Sequence, residues 1–337
     1  MTPLRLSLPG PVRGRVAAVD ELKGVGILLV ILYHAGGVLG QENRLHGEVG
    51  VDIFVILSGV GLALGAADEP AGRFLWRRFL RIYPAYWTIL TLWLALSFWV
   101  LGLRFRPEDI ALHYLGLHAW FGGAHGIAIN DSYWFITLIV SLYVIYLPAR
   151  RLLGRPDLLL LAGALLSFLP ALAYFEADSP VGFSLVSLRI PGFFLGLLAG
   201  RLLRQGALEL PLTAGLGVAA VILIYLPSVV GFMFAAVWIG AALMLFYLFA
   251  AGPALAPGGR AALAFLGTIS LELFLLHQPL LRECNVYVLR HAFPALPLSP
   301  LVLTAGMAVG LGLAIGLSVL LHRLLRPLTA PAARARA

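Results

Sequence analysis

Residues 16–40 read VAAVDELKGVGILLVILYHAGGVLG. Beyond Lys23 no side chain carries a formal charge as far as Gly40, and the 25 residues exceed the ~20 that cross a hydrocarbon core. Nine more runs of this kind follow, at 49–67, 82–103, 132–149, 158–175, 181–200, 210–226, 229–251, 261–281 and 301–321. The whole chain, 337 residues with 61% hydrophobic and 12% charged, has too few charges to cover the surface of soluble domains. High apolar content excludes a disordered chain, and the single cysteine, Cys284, excludes an internal disulfide framework. The expectation is an all-α polytopic transmembrane bundle of about ten spans. Residues 1–15 and 326–337 are read as tails, and 16–325 as one membrane domain.

The net charge of +8 does not describe a nucleic-acid protein, because the basic residues lie in short clusters between apolar runs rather than along one face. With the N-terminus inside, 18 of the 24 basic residues fall on cytoplasmic segments and six on outer ones. That is the positive-inside bias, and it predicts two cytoplasmic termini in a bacterial inner membrane. Two outer connections, 104–131 and 282–300, are longer than a turn and too apolar for disorder. They are read as re-entrant or interfacial caps, with His113, His118 and His125 as cap lining. Their spacing fits no zinc pattern, and no metal is expected.

Ionisable groups inside a span are expensive, so each is either a structural polar group paired with a neighbouring helix or part of a site. His34 in the first run, Asp52 in the second, Arg189 in the sixth, and Glu272 and His277 in the ninth fall in this class. Lys23 precedes His34 by eleven residues, which returns to within about 20° of the same helix face and separates the two by ~16 Å along the axis. Such a stripe suits an anion held at the cytoplasmic end and proton transfer deeper in. In RFLWRRFLRIYPAYW (73–87), Arg77, Arg78 and Arg81 fall three and four apart, in reach of a common phosphate. Plain positive-inside anchoring, with Trp76, Tyr83, Tyr86 and Trp87 as an interfacial belt, accounts for the same stretch.

Four segments together resemble the integral-membrane acyltransferase family known as acyltransferase family three, which modifies bacterial surface glycans. VDELKGVGILLVILYH is similar to its first-span pattern through Asp20, Lys23 and His34. GEVGVDIFVILSGVGLAL resembles its second span through Gly50, Asp52, Phe54, Ser58 and Gly59. WRRFLRIYPAYW matches the arginine-rich third motif through Arg78, Arg81, Tyr83 and Pro84. ISLELFLLHQPLL looks like the late segment through Ser270, His277, Gln278 and Pro279. Weaker likenesses, YWFITLIVSLYVIYLP and RIPGFFLGLLAGRL, fall in the expected order. The chain departs from the pattern at Gly192, Ser141 and Glu272, where glutamate, an acidic or amide residue and an aromatic are usual. It reads as the stand-alone form, with no appended hydrolase-like domain.

The resemblance implies an O-acyltransferase. Acyl-coenzyme A, acetyl-coenzyme A in the simplest case, is the expected donor, its phosphates held by Arg77, Arg78, Arg81 and Lys23. A hydroxyl of an extracytoplasmic or lipid-linked glycan is the expected acceptor, with His34 as general base and Asp52 orienting it. Ser58 is the candidate donor to the oxyanion, with Arg189, Glu272 and His277 as further site candidates. The competing reading is a proton-coupled transporter or flippase in which His34, Asp52, Glu272 and His277 form a relay.

Overall fold

A computed structural model describes residues 4–7, 17–41, 49–65, 69–121, 128–163, 165–166, 186, 189–205, 207–210, 239–244 and 246–329. Its principal helices are α1 (Ala17–Val38), α2 (Val49–Leu64), α3 (Ala71–Trp99), α4 (Pro107–Leu115), α5 (Trp134–Ala149) and α6 (Ile190–Gln205). They continue with α7 (Pro257–Thr268), α8 (Ser270–Gln278), α9 (Asn285–Ala292) and α10 (Pro300–Thr329). Two four-residue strands, β1 (Leu4–Ser7) and β2 (Ala207–Leu210), pair antiparallel with Leu4 opposite Leu210. This small addition to a helical fold ties the N-terminal tail to the chain just past α6.

Among the described residues, four helices are long and apolar enough to cross a membrane: 18–38, 71–99, 134–152 and 300–328. The pair α7–α8, continued to Ala292, makes a fifth if counted as one bent span. The expected second span is the 16-residue α2, shorter than a bilayer crossing. The expected seventh span lies outside the described residues except for Leu210, and most of the fifth and much of the eighth do so too.

Two boundaries differ from the sequence reading for identifiable reasons. The third span begins at Ala71, not at 82, so the arginine cluster belongs to the helix itself. Arginine is a good helix former, and Pro84 does not stop the helix: Thr88 Oγ1 donates to the Pro84 carbonyl at 2.7 Å. The ninth span is not straight. It breaks by 73° at Ile269, where Ser270 Oγ donates to the Gly267 carbonyl and so competes with the helical ladder.

The core is built on α1. Gly267 of α7 lies so close to the backbone of Asp20 that a methyl group there would overlap its carbonyl, which is how two helices approach without side chains between them. Gly196 plays the same part between α6 and Ile56 of α2. α8 then carries Phe274 and His277 back towards the upper half of α1, and Phe54, Phe135 and Phe274 fill the centre as a ring cluster.

Candidate active site

The first turns of α1 and α8 open onto a cavity of about 550 Å³. Lys23, Arg81, Ser270, Glu272 and His322 line it, so three helices and the bend supply its polar wall. A narrower extension of about 80 Å³ shares Lys23, Arg81 and Ser270 and continues between Phe54, Ser58 and Phe274. The Phe274 ring in turn lies 5.5 Å from the His277 imidazole. The Phe274 ring thus stands between the narrow extension and the imidazole of His277.

At the inner end two imidazoles meet. His277 Nε2 lies 3.1 Å from His34 Nδ1, with ring centroids 4.8 Å apart and planes at 67°. His277 Nδ1 is 2.6 Å from the Phe274 carbonyl, and His34 Nδ1 is 2.9 Å from the Val30 carbonyl. A carbonyl only accepts, so in the uncharged rings both Nδ1 atoms carry the hydrogen. The one hydrogen on His34 Nδ1 is then shared between the Val30 carbonyl and His277 Nε2, and Nε2 is the lone-pair nitrogen of His34. An imidazole fixed in this tautomer is a base, and the chemistry it can perform is proton abstraction.

The other expected residues separate into different places. Arg77 pairs with Glu69. Arg78 lies over the rings of Phe74 and Tyr143, 5.2 Å from each centroid, away from the cavity. Only Arg81 of the three reaches the cavity, beside Lys23, whose Nζ donates to Asp20 at 3.3 Å. Asp52 and Arg189, both fully buried, form an ion pair at 3.6 Å, and the guanidinium lies over Trp134 at 4.8 Å. His277, in the sequence reading only one of the further site candidates, is in hydrogen-bond contact with His34. Ser58 Oγ donates to the Phe54 carbonyl at 2.8 Å, so its hydroxyl presents lone pairs and not a hydrogen to the narrow path. Glu272 accepts from His322 Nδ1 at 3.0 Å across the cavity wall.

His322 was legible as an ionisable group in an apolar run, but the adjacent Arg323 makes that stretch read as a helix end. Of the belt aromatics Trp76 stays exposed, while three others bond to a neighbouring element. Tyr83, Tyr86 and Trp87 each donate at 2.8 Å, to the carbonyls of Leu115, His113 and Tyr114 respectively. α4 is thereby hung along the middle of α3. In α4 and the short turn after it, His113 and His118 are fully buried and stack at 3.8 Å with planes 7° apart. Burial pushes His113 down to about 4 and holds His118 well below the usual imidazole range, the latter with help from the neighbouring ring. His125 lies outside the described residues.

The family model described as an acyltransferase domain, that of acyltransferase family three, matches residues 16–322. A protein of Komagataeibacter xylinus whose name describes it as a membrane-bound transacylase, BcsY, is 31% identical over 125 residues. That match covers 36% of this chain and 28% of the relative's length. No solved structure matches. The family match takes in His34, the Lys23–Arg81 cavity and His277 in one continuous stretch, and the chain belongs to acyltransferase family three.

Proposed function

We propose that this membrane acyltransferase moves an acyl group, acetyl in the simplest case, from cytoplasmic acyl-coenzyme A to a hydroxyl of an extracytoplasmic or lipid-linked glycan. The observation that carries this reading is the 3.1 Å contact between His277 and His34, one aromatic ring beyond the narrow extension of the cavity lined by Lys23 and Arg81. Phosphates of the donor sit in the large cavity against Lys23 and Arg81, and the thioester arm runs through the narrow extension past Phe274. His34 Nε2 takes the proton of the acceptor hydroxyl as its oxygen attacks the thioester carbonyl. The carbon–sulfur bond breaks, the thiolate leaves, and the proton on the imidazole passes to it. His277 holds the base in its working tautomer and shares the charge that develops on it. In this reading the protein sits in the inner membrane with both termini in the cytoplasm, an orientation that the arginine distribution supports.

The test is donor binding followed by product. Purified chain should be stabilised against heat by coenzyme A and acetyl-coenzyme A, since a ligand that binds only the folded state raises its stability. Mass spectrometry of surface glycans and lipids with and without the gene should then reveal one lost acyl mass. Indifference to both ligands, together with unchanged glycans, would leave the relay of a transporter as the better account of His34.

A further inference from the structure

A groove of about 170 Å³ lies between α3 and α5, apart from the donor cavity. Arg78 and Ile82, one turn apart on α3, line one side of it, and Val140 and Val144, one turn apart on α5, line the other. Val144 is 55% exposed, so the groove opens on the flank of two helices long and apolar enough to cross a membrane. Its walls are apolar or aromatic except for Arg78, and no carboxylate lines it. Ile82 and Tyr143 also line the narrow extension of the donor cavity, so groove and extension lie on two sides of the same side chains.

Arg78 gives the groove its chemistry. It is half-buried, its guanidinium lies over the Phe74 and Tyr143 rings, and its buried Nε has no hydrogen-bond partner among the described residues. Glu69, the carboxylate just ahead of α3, pairs with Arg77. A buried cationic donor left unpaired is costly, and native proteins hold few of them. Its depth follows from the length of the helix. α3 has 29 residues, ~44 Å of helix against a hydrocarbon core of ~30 Å, and all its arginines lie in its first half. That end therefore projects into the headgroup layer, and Arg78 stands ~10 Å from it. Trp76, exposed and stacked on Phe79 at 5.4 Å, marks the same level, since tryptophan collects at the membrane interface.

We infer that the groove is a site for one anionic phospholipid, its phosphate on Arg78 and one acyl chain laid between Ile82 and Val140. A phosphate brings the acceptor oxygens and the countercharge that the guanidinium lacks, and basic pockets between transmembrane helices favour such headgroups. A zwitterionic headgroup brings in addition an ammonium that no carboxylate of the lining meets. The seated chain backs Ile82 and Tyr143 from the membrane side, and so holds the wall of the narrow extension in place.

The experiment gives the full chain, stripped of lipid in a neutral detergent, dioleoylphosphatidylglycerol, dioleoylphosphatidylcholine or glycerol phosphate. Native mass spectrometry reads the bound molecules and a thermal scan reads the melting temperature. One phosphatidylglycerol per chain should be retained and should raise the melting temperature. Phosphatidylcholine should bind about tenfold more weakly, and glycerol phosphate, which has no chain for the groove, should leave the scan unchanged. Arg78→Met should weaken phosphatidylglycerol about tenfold and level the two lipids. Val144→Trp fills the groove from the membrane side, leaves the arginine in place, and should lose the retained lipid as well. Equal retention of both lipids by the wild type means general solvation by the bilayer and overturns the site. So does glycerol phosphate that stabilises as well as the lipid, which would reduce the groove to an anion pocket. Retention at the wild-type level in Val144→Trp overturns it too, and decides the matter even where Arg78→Met does not fold. No arm needs an acyl donor, so the outcome stands apart from the transferase reading.

Discussion

His277 Nε2 sits 3.1 Å from Nδ1 of His34, and each ring is tied by its own Nδ1 to a carbonyl of its own helix, Phe274 and Val30 respectively. Two histidines 243 residues apart in sequence therefore act as one hydrogen-bonded unit. His34→Gln should lower kcat by about 10²–10⁴-fold, the usual worth of a positioned general base. His277→Gln should lower kcat by about tenfold or more while the donor KM stays put, since it acts through His34. Single-turnover acyl transfer measures both, and a His277→Gln enzyme with normal kcat would remove the pair from the mechanism.

Arg81 and Arg78, three residues apart, have different surroundings and should fail differently. Arg81→Ala opens the cavity wall and should raise the donor KM about tenfold, the loss of a charge-assisted hydrogen bond. Arg78→Ala removes a guanidinium packed over Phe74 and Tyr143 and should lower the melting temperature with little change in donor KM. Equal effects on KM would mean that both arginines touch the donor.

The buried pair of Asp52 and Arg189 makes a stability prediction. Asp52→Asn leaves an unbalanced guanidinium in the core, at a cost of about 3–5 kcal/mol. The double change Asp52→Leu, Arg189→Met should recover much of that loss. Unfolding in detergent reads both, and a double variant no better than the single one would mean that the pair is not the source of the cost.

Acid should loosen the packing of α4 and the short turn that follows it. His113 and His118 titrate below the ordinary imidazole value of about 6.5, so the unfolded chain binds more protons than the folded one. Their contribution is complete above about pH 6.5 and drains away as pH falls towards the His113 value of about 4. Melting temperatures at a series of pH values should fall over that window, and the double variant His113→Phe, His118→Phe should flatten the fall. An unchanged slope would place the acid sensitivity elsewhere.

The membrane class and the candidate base were legible because charge is scarce in this chain. Against an apolar run, His34 and Lys23 could be singled out by inspection, and helical spacing then put them on one stripe. Hydropathy, however, is blind to direction. The run 261–281 is equally apolar whether straight or bent, so the break at Ile269 left no trace in it. The start of α3 was hidden for a related reason: arginines serve equally well in a cytoplasmic loop and on the first turns of a helix, and Pro84 reads as a boundary although it lies inside. Pairings between distant elements, His277 with His34 and Asp52 with Arg189, depend on which faces the packing turns together. Spacing along one helix carries no information about the next.

The bend at Ile269 makes α8 a lever. Its near end, Ser270 to Glu272, forms part of the donor cavity, and its far end carries His277. From Ile269 to His277 the arm is ~12 Å, so a tilt of ~10° about the bend displaces the far imidazole by ~2 Å. Misplacing a catalytic group by about 1 Å can cost a hundredfold in rate. In the transferase reading, seating of the donor against the near end would therefore set, through about two rigid turns of backbone, whether His277 is aligned with the base.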